Sequence, residues 1–406
     1  MKMAKYINIK SIALLSVATA LTLGSCGDDE PEVNVPVTYE FLRDGASTVS
    51  FTGQTTRILM AEELSAAMKD LSQSATGLQE LFANENATGG DVSPFSDTDL
   101  NASTKSIRSK VAASKDLFST NTAETATIKT QIDQWIAAQA GEVFLNKEEL
   151  AEAGKAGQIA DGTSTRYISA KGLEYNQAVT KSLIGALMAD QILNNYLSTA
   201  VLDEASNIAD NDAGTVADGK AYTNMEHKWD EAYGYLFGKS SSTASPLVDL
   251  GADNFLNKYL SRVEGDDDFA GIAQEIFDAF KEGRAAIVSG AYETRDKQGD
   301  IIKEKISDVI GIRAVYYLQQ GKKAIEAEDF GGAFHDLSEG FGFVYSLRFT
   351  RDEGSNNSKF SGSEVESYTS QLLEGNGFWD VTPSTLDAIS ESIAEKFDFT
   401  VAEAAE

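Results

Sequence analysis

Along most of the chain apolar side chains recur every three to four residues, the spacing of amphipathic helices, and only a short early stretch alternates like a strand. That stretch is 37–58. Within it TYEF and STVSF flank Arg43-Asp44-Gly45-Ala46, which is turn chemistry, so a small hairpin or cap is expected there. From Met60 the segment MAEELSAAMKDLSQSATGLQELF brings Leu64, Met68, Leu71, Leu78 and Leu81 near one stripe. Residues 84–103 read as a polar loop, TKSIRSKVAAS and ETATIKTQIDQWIAAQA as two helices, and the Gly-, Ser- and Thr-rich residues 152–170 as a long loop. Residues 171–201 carry the broadest apolar face, including Leu183, Leu187, Ile192 and Tyr196, the pattern of a central buried helix. Asp203 to Gly219 is acidic and turn-like. Further helices are expected near 224–237, 247–262, 268–290, 298–327, 330–349, 363–374 and 383–396. The sum is an all-α fold, a helical bundle with a small N-terminal β-hairpin.

Composition narrows this picture. The chain is 42% apolar with only five prolines, enough for a large core and favourable to helices. Its net charge is −29, which repels phosphate backbones and argues against nucleic-acid binding while favouring cations or basic partners. A single cysteine, Cys26, rules out disulfides within the chain and Cys-based zinc sites. Any Ser-His-Asp or two-histidine zinc arrangement must draw on His227 and His335, the two histidines. A P-loop and a strand-borne Gly-x-Gly-x-x-Gly are both missing, and Asn211–Gly214 and Asp266–Asp268 lack EF-hand spacing.

The amino terminus reads as an address. Three lysines precede the apolar run Ile12–Leu23, too short for a membrane span, and Leu23-Gly24-Ser25-Cys26 follows. That tetrapeptide resembles the lipobox of bacterial lipoproteins, which implies cleavage before Cys26 and acylation of it, an anchor of two or three chains that holds stably. The expected division is a signal peptide at 1–25, an acidic tether at 26–37, and one helical domain at 38–406 built of two related halves, near 60–262 and 268–400. The expected location is the outer membrane, periplasmic or surface-exposed; the acidic run after Cys26 resembles surface-export signals.

The informative motif is an internal echo. His227-x-x-x-Glu231-Ala-Tyr-Gly234-Tyr235-Leu and His335-x-x-x-Glu339-Gly-Phe-Gly342-Phe343-Val share one pattern and use both histidines. On a helix, His at i and Glu at i+4 lie on one face, and Gly at i+7 continues it, leaving room for a close neighbour. If the copies form a pseudo-twofold pair, His227, Glu231, His335 and Glu339 can converge on iron or another divalent metal, such as zinc or manganese. Asp230, Asp336, Glu226, Tyr235 and Phe343 would then support those ligands from behind, while the plainer reading of the three acids is as solvated groups. The alternative is a structural or partner-binding protein in which each His pairs with its Glu and the glycines serve packing alone.

The lipobox, the opening TYEFLRDGASTVSFTGQTTRI and EHKWDEAYGYLFG together resemble an uncharacterised family of bacterial lipoproteins of similar length. That resemblance implies a neighbourhood of imelysin-like lipoproteins and outer-membrane iron receptors. Imelysin-like proteins are all-helical, built of two related bundles, and linked to iron uptake after being first classed as peptidases. Their Gly-x-His-x-x-Glu motif is not reproduced: Met225 and Ala333 stand where the glycine would be, and Asp230 and Ser338 where the glutamate would be. The functional expectation is therefore a lipid-anchored, non-enzymatic cell-envelope protein that binds iron or an iron-bearing ligand as accessory to an uptake system, with a membrane, an outer-membrane iron receptor or an imelysin-like protein as partners.

Overall fold

A computed structural model describes residues 30–352, 355 and 357–406. The expected signal peptide and Cys26 lie outside the described residues. The chain folds as a mostly helical bundle with two short antiparallel hairpins. β1 (Leu42–Arg43) and β2 (Ala46–Ser47) form the first, with Leu42 opposite Ser47. Its turn works because Asp44 and Gly45 both take positive φ, which Asp tolerates and Gly favours. The strand ends sooner than the alternation suggests: α1 (Thr52–Ala67) begins right after Phe51.

The long helical pattern from Met60 is cut in two. α1 stops at Ala67, and Ser74 caps the start of α2 (Ala75–Ala83) by accepting from the Gly77 N–H. TKSIRSKVAAS keeps only the turn Ile107–Lys110, whereas α3 (Thr122–Ala138) forms as expected. Residues 152–170 are not a loop. β3 (Gly157–Asp161) and β4 (Ser164–Ile168) pair there, with Gly162 at positive φ in the turn and an Arg166–Asp161 ion pair of 2.6 Å. With so few apolar residues, this hairpin shows no alternation in sequence. Its partner explains it: a Cβ on Gly331 would lie 1.9 Å from the Ala160 carbonyl oxygen, so the hairpin backbone rests directly on a helix.

The central helix starts as α4 (Tyr175–Leu183) and continues through two π-helical stretches, Ile184–Ala189 and Ile192–Tyr196. It is buried nearly all round, as its broad apolar face requires. Five long elements follow: α5 (Asn224–Phe237), α6 (Leu256–Glu264), α7 (Ile272–Ser289), α8 (Tyr292–Glu326) and α9 (Phe330–Ser346). α10 (Gly362–Leu372) and α11 (Pro383–Ala394) complete the set. α8 packs along α7, α9 and α11; α9 also lies on α4, while α5 lies on α1, α7 and the second π-helical stretch. Buried apolar side chains from Tyr39 to Ala404 join into one continuous cluster. Among the described residues no helix is long and apolar enough to cross a membrane.

Candidate functional site

Each copy of the echoed motif sits where the helical spacing puts it, on α5 and on α9. The glycines act as the pattern implies. A Cβ on Gly234 would come within 2.4 Å of the Phe51 Cβ, and one on Gly342 within 2.4 Å of the Lys181 Cβ. In both copies the missing side chain lets another segment approach closely.

The second copy is a closed charge cluster. His335 Nδ1 lies 2.9 Å from Glu174 Oε1, and its Nε2 lies 3.8 Å from Glu339 Oε1. The Lys181 ammonium lies 3.2 Å from the same Glu339 oxygen, and the Tyr259 hydroxyl donates to Oε2 at 3.2 Å. Burial alone would raise the Glu339 pKa. Lys181, a Tyr317 hydrogen bond and the His335 charge outweigh it and hold the carboxyl down at about 2. Burial works against the His335 imidazolium too, but the Glu174 hydrogen bond and charge prevail, so its pKa is raised. Asp336 beside it is partly buried and pushed up to about 6 by desolvation. Phe343 is fully buried, edge-on to Tyr259 at 4.7 Å and stacked on Tyr317.

The first copy has different company. The His227 ring stacks on Tyr222 at 4.5 Å, and its buried Nδ1 has no hydrogen-bond partner among the described residues. Burial lowers its pKa, only partly offset by Glu231. Glu231 accepts from Gln54 at 2.9 Å and pairs with Lys228 at 3.1 Å. Burial opposes its charge, but Lys228 and His227 keep its pKa below the usual value. Tyr235 is fully buried, which raises its pKa, and Arg57 beside its hydroxyl opposes that rise.

Asp230 is neither a solvated acid nor a support for His227. It is fully buried, with Glu226, around the guanidinium of Arg284, which is itself 0% exposed. Arg284 reaches Glu226 Oε1 and Asp230 Oδ1 at 3.1 Å each and donates to Thr48 at 2.8 Å. Tyr39 donates to Asp230 and Arg43 forks onto Glu226. This network pins the N-terminal hairpin to α5 and α7. Burial pushes Asp230 up to about 6, against the pull of Arg284. For Glu226 the balance reverses: burial is overcome by Arg284 and Arg43, and its pKa falls.

These partners decide how well the four residues fit a metal ion. Glu339 already carries an ammonium, His335 is bonded to a third carboxylate, and among the described residues no hydrogen bond or ion pair joins one copy to the other. Among the described residues no group of three or more His, Cys, Asp or Glu stands ready to hold a metal. The four residues as arranged do not fit a shared ion.

A cationic patch beside His227 had no signal in the sequence. Lys110 and Lys228 each hold their ammonium 5.7 Å from the centre of the Tyr196 ring. Gln54 links the Tyr196 hydroxyl, at 3.4 Å, to Glu231. Lys105 Nζ and Arg57 Nη1 stand 3.7 and 3.8 Å from where a Gly53 Cβ would be, side by side at the start of α1. Among the described residues no carboxylate forms an ion pair with Lys105, Lys110 or Arg57. Burial, then the charges of Arg57 and its neighbours, lowers the Lys110 pKa. α1 itself starts with no side-chain cap and no acid in its first turn. Positive charge thus gathers around Glu231 although the chain as a whole carries −29. A cleft of about 990 Å³ lies elsewhere, between the start of α7, the first half of α8 and the C-terminal segment, with Phe269, Phe397, Lys303 and Asp300 in its walls.

Residues 36–400 match a family described as a domain of unknown function (DUF4856). No curated protein and no solved structure matches the chain.

Proposed function

We propose, for a chain that belongs to the DUF4856 family, the role of a lipid-anchored cell-envelope protein that binds an iron-bearing ligand of negative charge, as accessory to an uptake system. The observation that carries this reading is the patch of Arg57, Lys105, Lys110 and Lys228 around Tyr196. Ammonium groups over an aromatic face, partly desolvated and short of counter-charges, favour an anion. The buried His227 Nδ1 adds a polar atom without a hydrogen-bond partner among the described residues. The bare ion is the weaker candidate, since Lys181 stands where a cation would meet Glu339. The iron connection itself rests on the resemblance to lipoproteins of iron uptake, and the anchor on the lipobox.

Titration calorimetry of residues 27–406 tests the reading, with ferric citrate, citrate alone and iron(II) as probes. Ferric citrate is expected to bind at one site, and Lys105→Ala/Lys110→Ala is expected to weaken it at least about tenfold, the loss of roughly 1.4 kcal/mol. Binding unchanged in that variant, or one equivalent of iron(II) bound and lost in His227→Ala/His335→Ala, would contradict it.

A further inference from the structure

The described part of the segment expected to be an acidic tether, residues 30–37, is docked on the body. Glu30 sits on the first turn of α8: its carboxylate accepts from the Glu293 N–H, and from the Thr294 N–H at 3.0 Å and hydroxyl at 2.8 Å. A carboxylate there meets free N–H groups and the positive end of the helix. Val33 packs against the core, and Lys281 Nζ donates to the Val37 carbonyl at 3.3 Å. Only Gly27, Asp28 and Asp29 stand between Cys26 and Glu30. Fully extended, the chain from Cys26 to Glu30 spans at most about 14 Å. α8, with 35 residues, is about 50 Å long.

We propose that the docked segment orients the body on a lipid bilayer, with the start of α8 facing the membrane and held within that short reach. This rests on acylation of Cys26. The acyl chains fix Cys26 at the headgroups, so the point where Glu30 is clamped cannot leave them. The far end of α8 has no such restraint. The clamp also places the candidate ligand face. Tyr292, at the start of α8, meets Asn211, and Asn211 meets Thr223, the cap of α5, one turn before His227. The ligand face is thereby connected to the membrane-side end of the body.

The test uses the full lipidated chain in phosphatidylcholine vesicles that carry a headgroup nitroxide quencher. A fluorophore is placed on Lys297→Cys or on Glu326→Cys, both exposed, at the two ends of α8. Quenching is expected to be several-fold stronger at position 297, and the contrast is expected to shrink in Glu30→Ala/Thr294→Ala, which opens the clamp at Glu30 and lengthens the tether as far as Val33. Circular dichroism of that variant is expected to match the parent, which separates release from unfolding. Equal quenching at both positions on vesicle-bound protein, or a contrast untouched by releasing the clamp, overturns the orientation alone. Protein that does not float with the vesicles overturns the lipid anchor and the orientation with it.

Discussion

Replacing Arg284 with alanine is expected to destabilise the fold by about 3–5 kcal/mol, the usual cost of removing one partner from a buried ion pair. The guanidinium is fully buried and serves Glu226, Asp230 and Thr48 at once. Without it two acids remain in the core with too few donors, and Arg43 can reach only Glu226. Lysine would restore a charge but not a fork that serves three acceptors, so Arg284→Lys is expected to recover only part of the loss. The deficit should depend on pH. The Asp230 pKa in the fold, about 6, already stands above its usual value because of burial, so its contribution is present in acid and lost as pH rises through 6. Removing Arg284 raises it further, so the loss is expected to be larger at pH 8 than at pH 5. Urea unfolding at both pH values checks it. A shift in midpoint with unchanged slope is expected; a loss below about 1 kcal/mol would mean that the network contributes little to stability.

Lys181→Met is the second large effect, again about 3–5 kcal/mol. Methionine keeps the length of the side chain, and thus the contact with the face of α9 that Gly342 leaves open. It removes the cation that faces Glu339. That carboxyl is held at about 2 against the pull of burial, with Lys181 as the strongest opposing influence. A depressed carboxylate stabilises the fold above its unfolded pKa and loses that contribution as pH falls towards 2. In Lys181→Met the Glu339 pKa moves up, so the variant is expected to fall furthest behind the parent at neutral pH and to close part of the gap at pH 5. Adding Glu339→Gln should restore a good part of the loss, because the uncompensated charge is then gone. Thermal melts of the parent, the two single variants and the double variant form a cycle that isolates the coupling.

Some of this architecture was legible in the sequence for plain reasons. Asp44-Gly45 specifies a tight turn, and a helical period of apolar residues specifies a helix wherever it is long enough to be unambiguous. The glycine seven residues after each histidine marked a close approach, and Phe51 and Lys181 make it. The hairpin at 157–168 was hidden because only Ile159, Tyr167 and Ile168 pack on the core, without regular alternation, and the rest of its seat is backbone contact with Gly331. The break between α1 and α2 turned on one cap, Ser74, inside a continuous helical pattern. The partners of the histidines were hidden for a different reason. Glu174 and Lys181 come from α4 and its cap, far along the chain, and one sequence cannot pick them from 63 acids and 34 bases. Asp230 reads as a solvated acid until Arg284 is brought to it from α7. The cationic patch escaped notice because its four members come from α1, from the segment between α2 and α3, and from α5.

The central claim is that two histidines with one motif do different work: His335 is locked into an ion cluster and His227 borders a binding face. Nuclear magnetic resonance of the two imidazoles tests it most directly, since the chain has no others. In residues 27–406 labelled at histidine, one midpoint is expected below the ordinary imidazole range and one above it, assigned through His227→Gln. The pH dependence of stability follows with the same sign: the His335 contribution is present in acid and lost as pH rises through its elevated midpoint. Gallium citrate, a diamagnetic substitute for the ferric chelate, is expected to move the His227 signal and leave His335 in place. A shared midpoint for both rings, or one equivalent of zinc shifting both signals together, would contradict the account and restore a single metal site between the two motifs.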